Sequence, residues 1–214
     1  MKLVTTAILL VSASITATAQ PGGQGDEDTS MSFFITSRGL GDGANLGGLA
    51  GADAHCAALA EEAGVTGKTW RAYLSTTGPN GVYARDRIGS GPWYNANGEL
   101  IGRSVADIHY SNANLNKQKS LTENGDTVNG VGDQPNQHDI LTGTNPDGTA
   151  SDMTCNNWTS NTDQSRAMVG HFDRIGGGPM AESWNASHMS RGCSQAQLQA
   201  SGGNGYYYCF ATGE

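Results

Sequence analysis

Hydrophobic periodicity is strong near both ends of this chain and nearly absent between them. Leu3 to Val11 is an almost unbroken apolar run. Met31 to Ser37 (MSFFITS) reads as a first strand, and a Gly-rich passage then leads to a helix over about 51–63. On that helix Ala52, Cys56, Leu59, Ala60 and Ala63 share one face, which directs Cys56 to the core, and Gly64 is placed to end it. Thr69 to Thr76 (TWRAYLST) alternates as a half-buried strand does, with Trp70, Ala72 and Leu74 opposite Arg71 and Tyr73. From Gly78 to Gly148 the period fades and Gly, Asn and Asp recur every few residues, with a short helix or strand expected within 99–110. Met153 to Ser160 and Arg166 to His171 read as strands returning to the core. The closing run Gly205 to Thr212 (GYYYCFAT) sets Tyr206, Tyr208 and Phe210 on one face and Tyr207, Cys209 and Ala211 on the other. These elements predict an α+β domain over 31–214, with no internal repeat.

The apolar run at the start changes the picture most. Lys2 precedes it, and Ala17-Thr18-Ala19 supplies the small-x-small pattern of a signal-peptide cleavage site, giving a signal peptide over 1–19. The run is too short to span a bilayer comfortably, so membrane insertion is not expected. Residues 20–30 (QPGGQGDEDTS) carry no periodicity and read as a flexible leader. The expected location is therefore secreted or periplasmic. A formal charge of −8 and a pI near 5.0 argue against nucleic acid and anionic glycans as partners. Cations and neutral sugars suit that balance better.

Four cysteines, Cys56, Cys155, Cys193 and Cys209, remain in the exported part. An even count in an exported chain points to two disulfides, and four cysteines allow three connectivities.

Three passages carry a resemblance. They are the helix-and-strand unit GADAHCAALAEEAGVTGKTWRAYLST, the run TNPDGTASDMTCNNWTS, and the cysteine loop with its terminal aromatic strand CSQAQLQASGGNGYYYCFA. Together they resemble the C-type-lectin-like fold, in particular its endostatin-like branch and a group of secreted bacterial lectin-like proteins. The likeness spans about 31–211, loosely in the middle. It implies antiparallel strands with one or two helices, a long irregular loop region, and nested bridges Cys56–Cys209 and Cys155–Cys193. Such bridges would contribute roughly 5 and 4 kcal/mol by chain-entropy arithmetic.

Sugar-binding members of that fold hold calcium with a Glu-Pro-Asn or Gln-Pro-Asp triplet and a later Trp-Asn-Asp. Here Gln134-Pro135-Asn136 is a near match to the first, with Asp133 and Asp139 beside it. Trp184-Asn185-Ala186 is similar to the second, although Ala186 stands where the metal-binding Asp would be. The resemblance thus implies a calcium set of Asp133, Asn136 and Asp139, oxygen donors of the kind a hard cation takes. Proline and asparagine also favour turns without any metal. Trp93-Tyr94, bounded by Gly91-Pro92 and Asn95, is the expected exposed aromatic pair for stacking on a sugar. The candidate ligand-binding residues are therefore Trp93, Tyr94, Gln134, Asn136, Asp139, Trp184 and Asn185.

The histidines, His55, His109, His138, His171 and His188, form no close zinc pair along the chain. His138-Asp139 is an acid-base pair in composition, but neighbours on an extended segment point apart, so direct pairing is not expected. No nucleophile elbow or phosphate-binding loop is present, so no catalytic residue is assigned. The leading expectation is a secreted lectin-like binding module that meets carbohydrate or an extracellular protein through the loop from about Val82 to Asp152. A structural or adhesive envelope protein and a hydrolase using loop residues such as Asp86, His109, His138 and Asp139 are the alternatives.

Overall fold

The computed structural model describes residues 27–111 and 114–212. The expected signal peptide over 1–19 lies outside the described residues, as does most of the leader. The elements run β1 (Phe33–Ile35), α1 (Gly48–Glu62), β2 (Thr69–Ala72), α2 (Ala84–Arg87), β3 (Trp93–Tyr94), β4 (Leu100–Gly102) and a π-helical turn (Asp107–Ser111). They continue with β5 (Asp139–Leu141), the short α3 (Cys155–Trp158), β6 (Met168–His171), β7 (His188–Met189), α4 (Gln195–Ser201) and β8 (Gly203–Thr212). The architecture is α+β.

The terminal strand organises the rest. Its aromatic alternation lets β8 bury both faces, and its ten residues are long enough to take several neighbours. The main sheet has the order β1-β8-β5-β6-β7, with β2 also paired to β8. β1 and β2 lie antiparallel to β8, whereas β5 runs parallel to it. β3 and β4 form a separate antiparallel pair.

The two faces of β8 lead to two cores. Tyr207, Cys209 and Ala211 pack with Phe34, Trp70, Leu74, Leu141 and Val169 against Ala52, Cys56, Leu59 and Ala60 of α1. Tyr206, Tyr208 and Phe210 pack instead with Phe33, Ile35, Tyr73, Trp93, Ile140 and Trp184 beneath the irregular middle of the chain. The helix face read from the sequence is therefore the buried one, and Gly64 follows the helix in the left-handed conformation. Tyr73, expected on the outer side of a half-buried strand, is fully buried because the middle segment covers that face.

Both disulfides form, Cys56 with Cys209 and Cys155 with Cys193, closing sequence separations of 153 and 38 residues. The first staples α1 to β8. The second sits in a segment that departs from expectation: 155–158 is not a strand. Cys155, Asn156, Asn157 and Trp158 all have positive φ, a left-handed turn that costs roughly 1–2 kcal/mol per residue for L-amino acids. Thr154 accepts from the Asn157 N–H, and the Trp158 indole donates to the Ser75 carbonyl at 2.7 Å. Those anchors, the burial of Trp158 and the bridge at Cys155 hold the turn. Among the described residues no helix is long and apolar enough to cross a membrane.

Candidate metal centre

One end of the main sheet gathers an aspartate and two histidines from three strands, with a third histidine from the residue before β5. Asp139 opens β5, His171 closes β6, and the register places them directly opposite each other. His188 opens β7 opposite Val169, two residues before His171. Strand alternation then sets Asp139, His171 and His188 on the same face as Leu141 and Val169, the side packed on α1. His138 comes from the residue just before β5. Its backbone N–H is turned by the Asn136 side-chain oxygen, so the alternation rule that separates it from Asp139 does not apply. The expectation that these neighbours would not pair is corrected: His138 Nε2 lies 3.3 Å from Asp139 Oδ1.

The other two imidazoles meet the same oxygen. His171 Nε2 is 3.3 Å from Asp139 Oδ1 and His188 Nε2 is 3.4 Å from it. The rings of His138 and His171 stack with centroids 4.1 Å apart, and His188 stands edge-on to His171 at 4.9 Å. His138, Asp139 and His171 are buried, and their donor atoms all lie within 4.8 Å of one another. His188, outside that set, keeps 40% of its side chain exposed.

Each ring is fixed from behind through its other nitrogen. His171 Nδ1 donates to the Ala181 carbonyl at 2.8 Å and His188 Nδ1 to the Met189 carbonyl at 3.0 Å. His138 Nδ1 lies 3.2 Å from the Asp173 carboxylate, which also accepts the Val131 and Ile175 N–H groups. A carbonyl only accepts, so Nδ1 of His171 and of His188 carries a proton, which leaves Nε2 as the atom that meets Asp139 and, in the neutral ring, as a lone pair free for a metal. Both Asp139 oxygens and His171 Nε2 are buried with no hydrogen-bond partner. A carboxylate facing lone pairs without a donor is costly. A cation between them removes the cost. The oxygen-to-nitrogen separations suit one as well, because neighbouring donors of a tetrahedral site with bonds of 2.0–2.1 Å stand about 3.3–3.4 Å apart.

Burial pushes the Asp139 carboxyl up, but the His171 and His188 imidazoles, with the charge of His138, outweigh it and hold it below the ordinary carboxylate value. The Asp139 carboxylate in turn raises His188 against its partial burial. For Asp173, burial acts upward and is outweighed by His138 and the two N–H groups, so this second carboxyl also sits low. Asp139 is thus the one carboxylate on the side where the three Nε2 atoms meet, and Asp173 stands behind His138. Gly202 makes room for the assembly: it ends α4 at φ 111°, and a Cβ there would meet Asn136 Nδ2 at 3.2 Å and His138 Nε2 at 3.4 Å.

Of the residues expected to bind ligand or metal, only Asp139 lies in this cluster; His138, named beside it as an acid-base pair, lies there too, and Asn136 supports both through the turn before His138. Asp133, expected beside them on calcium, is bound by Lys117 and by the Gly130 N–H. Gln134 is exposed on its turn, where the Gln134–Pro135 bond is cis. Asp139 faces imidazole nitrogens rather than an oxygen cage, and calcium takes oxygen. Trp93 and Tyr94, expected to be exposed, are 1% and 5% exposed; the Trp93 ring packs on Phe210 and its indole donates to Ala211. Trp184 donates to the Ile108 carbonyl within the core. Asn185 is buried too, its amide donating to Tyr73 and to the Asn145 and Pro146 carbonyls. Trp93 is buried because the middle segment folds its ring down onto β8, and Trp184 because it lies in the same core beneath that segment. His171, His188 and Asp173 were not singled out from the sequence. The one local trace they leave is that His138-Asp139 and His171-Phe172-Asp173 both sit at the ends of apolar runs. No protein-family model matches the chain, and no curated protein matches it.

Proposed function

We propose that this chain is an exported, disulfide-tied binding module whose working part is a transition-metal centre of the zinc class. His138, Asp139 and His171 hold the ion, and His188 stands by at the exposed side. The observation that carries this reading is the buried Asp139 carboxylate, without a hydrogen-bond donor, ringed by three imidazole Nε2 atoms at 3.3–3.4 Å. Imidazole with one carboxylate favours zinc, and also cobalt, nickel, copper or ferrous iron, over calcium or magnesium. Export is supported by the apolar run behind Lys2 and by the two disulfides, which persist in oxidising compartments. The bridge pairing also supports a lectin-like fold, although the metal reading does not depend on that likeness.

The test is direct. The mature chain, stripped with chelator and titrated calorimetrically with Zn²⁺, should bind one ion per chain at micromolar Kd or tighter. Ca²⁺ at millimolar concentration should not compete. His171→Ala should abolish the binding. Failure of the wild-type chain to bind more zinc than that variant would overturn the proposal.

A further inference from the structure

The three histidines are not held alike. His138 is braced by the Asp173 carboxylate, itself tied to the backbone of two segments. His171 donates to the Ala181 carbonyl, has the Ser187 hydroxyl 3.1 Å from the same nitrogen, and stacks on His138. His188 has behind it the carbonyl of its own neighbour, Met189, stands edge-on to His171, and lies on a two-residue strand at the edge of the sheet. It is also the exposed member, and its donor atom stands outside the tight set formed by the other three.

Building on the metal reading, we infer that His188 is an exchangeable ligand, and that the ion trades it for a monodentate anion from outside the chain. The fixed part of the site is two neutral imidazoles and one carboxylate. A divalent ion held there keeps one net positive charge, which favours a monoanion such as a carboxylate at the remaining position. Three protein ligands with one open position is also how zinc sites that accept an outside ligand are arranged. The exposed side of His188 is the route by which ion and anion both enter.

Cobalt(II) serves as the probe, because its visible absorption reports the ligands directly. Chelator-stripped wild-type, His188→Ala and His171→Ala chains are titrated with Co²⁺, and the loaded proteins are then titrated with sodium azide. His188→Ala should bind one Co²⁺ with an affinity lowered about tenfold, and His171→Ala none. Azide should shift the spectrum of His188→Ala at a concentration at least tenfold below that needed for wild type, where His188 must leave first. His188→Gln, closer in size, should behave as the Ala variant does, and thermal melts of the metal-free proteins establish that all three variants fold. If His188→Ala loses cobalt as completely as His171→Ala, His188 is a fixed ligand and the inference fails. It fails equally if the variant matches wild type throughout, or if it binds cobalt but ignores azide. A wild-type chain that binds no cobalt would sink the metal reading itself, a different result from any of these.

Discussion

At the scale of single residues, Asp173 shows how the candidate centre depends on groups that never touch the ion. Its carboxylate lies 3.2 Å from Nδ1 of His138 and braces that ring, and it is held by N–H groups from Val131 and Ile175. Outer partners of this kind typically change metal affinity about 10–100-fold when altered. Asp173→Asn removes the charge and keeps the shape, so zinc affinity measured by chelator competition should fall by about that factor. The melting temperature of the metal-free protein separates this positioning role from mere packing. A variant that melts lower when metal-free yet binds zinc unchanged would show that Asp173 serves the fold alone. The residues that sequence reasoning favoured fail for the converse reason. Trp93 and Trp184 look like exposed aromatics because Gly, Pro and Asn flank them, but flanking residues do not report what folds over them. Both rings end in the core beside Phe210 and Tyr208.

At the scale of elements, legibility follows periodicity. The helix face of Ala52, Cys56, Leu59 and Ala60 and the two faces of β8 were readable because each buries a repeating set of side chains. The segment 155–158 was not, since a left-handed turn of four L-residues is set by a bridge, a cap and a buried indole drawn from elsewhere. The centre was half legible. His138 and Asp139 stood out as neighbours, whereas His171 and His188 come from the ends of β6 and β7, which only the register of the folded sheet brings together. The two bridges join elements far apart in the chain, and loop length sets their expected contributions. Replacing Cys56 and Cys209 together by Ala should lower unfolding free energy by roughly 5 kcal/mol, and replacing Cys155 and Cys193 by roughly 4 kcal/mol. Urea unfolding measures both losses. Since domains are stable by only about 5–15 kcal/mol, the first loss is enough to threaten folding. Either double variant unfolding at the wild-type urea midpoint would contradict the stapling role.

At the scale of the whole molecule, metal binding and folding become one equilibrium. The ligands span 138–188 and meet only where β5, β6 and β7 align, so the assembled site belongs to the native state. A ligand that binds only that state stabilises it by about 2.7 kcal/mol when present at 100 times its Kd. For a domain of 150–250 residues each kcal/mol raises Tm by about 2–4 °C, so saturating zinc should raise it by about 5–11 °C. The shift should vanish in His171→Ala, and calcium at the same excess should leave Tm where it was. His188→Ala should keep most of the shift once zinc is raised to compensate for its weaker binding, because the buried half of the site survives. The disulfides set the scale of the comparison. With both bridges intact the metal-free chain should fold on its own, and zinc then adds to an existing structure rather than creating it. Far-ultraviolet circular dichroism of the chelated protein distinguishes the two cases. A chain that is folded without metal, and whose Tm rises with zinc but not with calcium, has the centre described here. A Tm indifferent to zinc would leave His138, Asp139 and His171 as a buried polar cluster with no ion to bind.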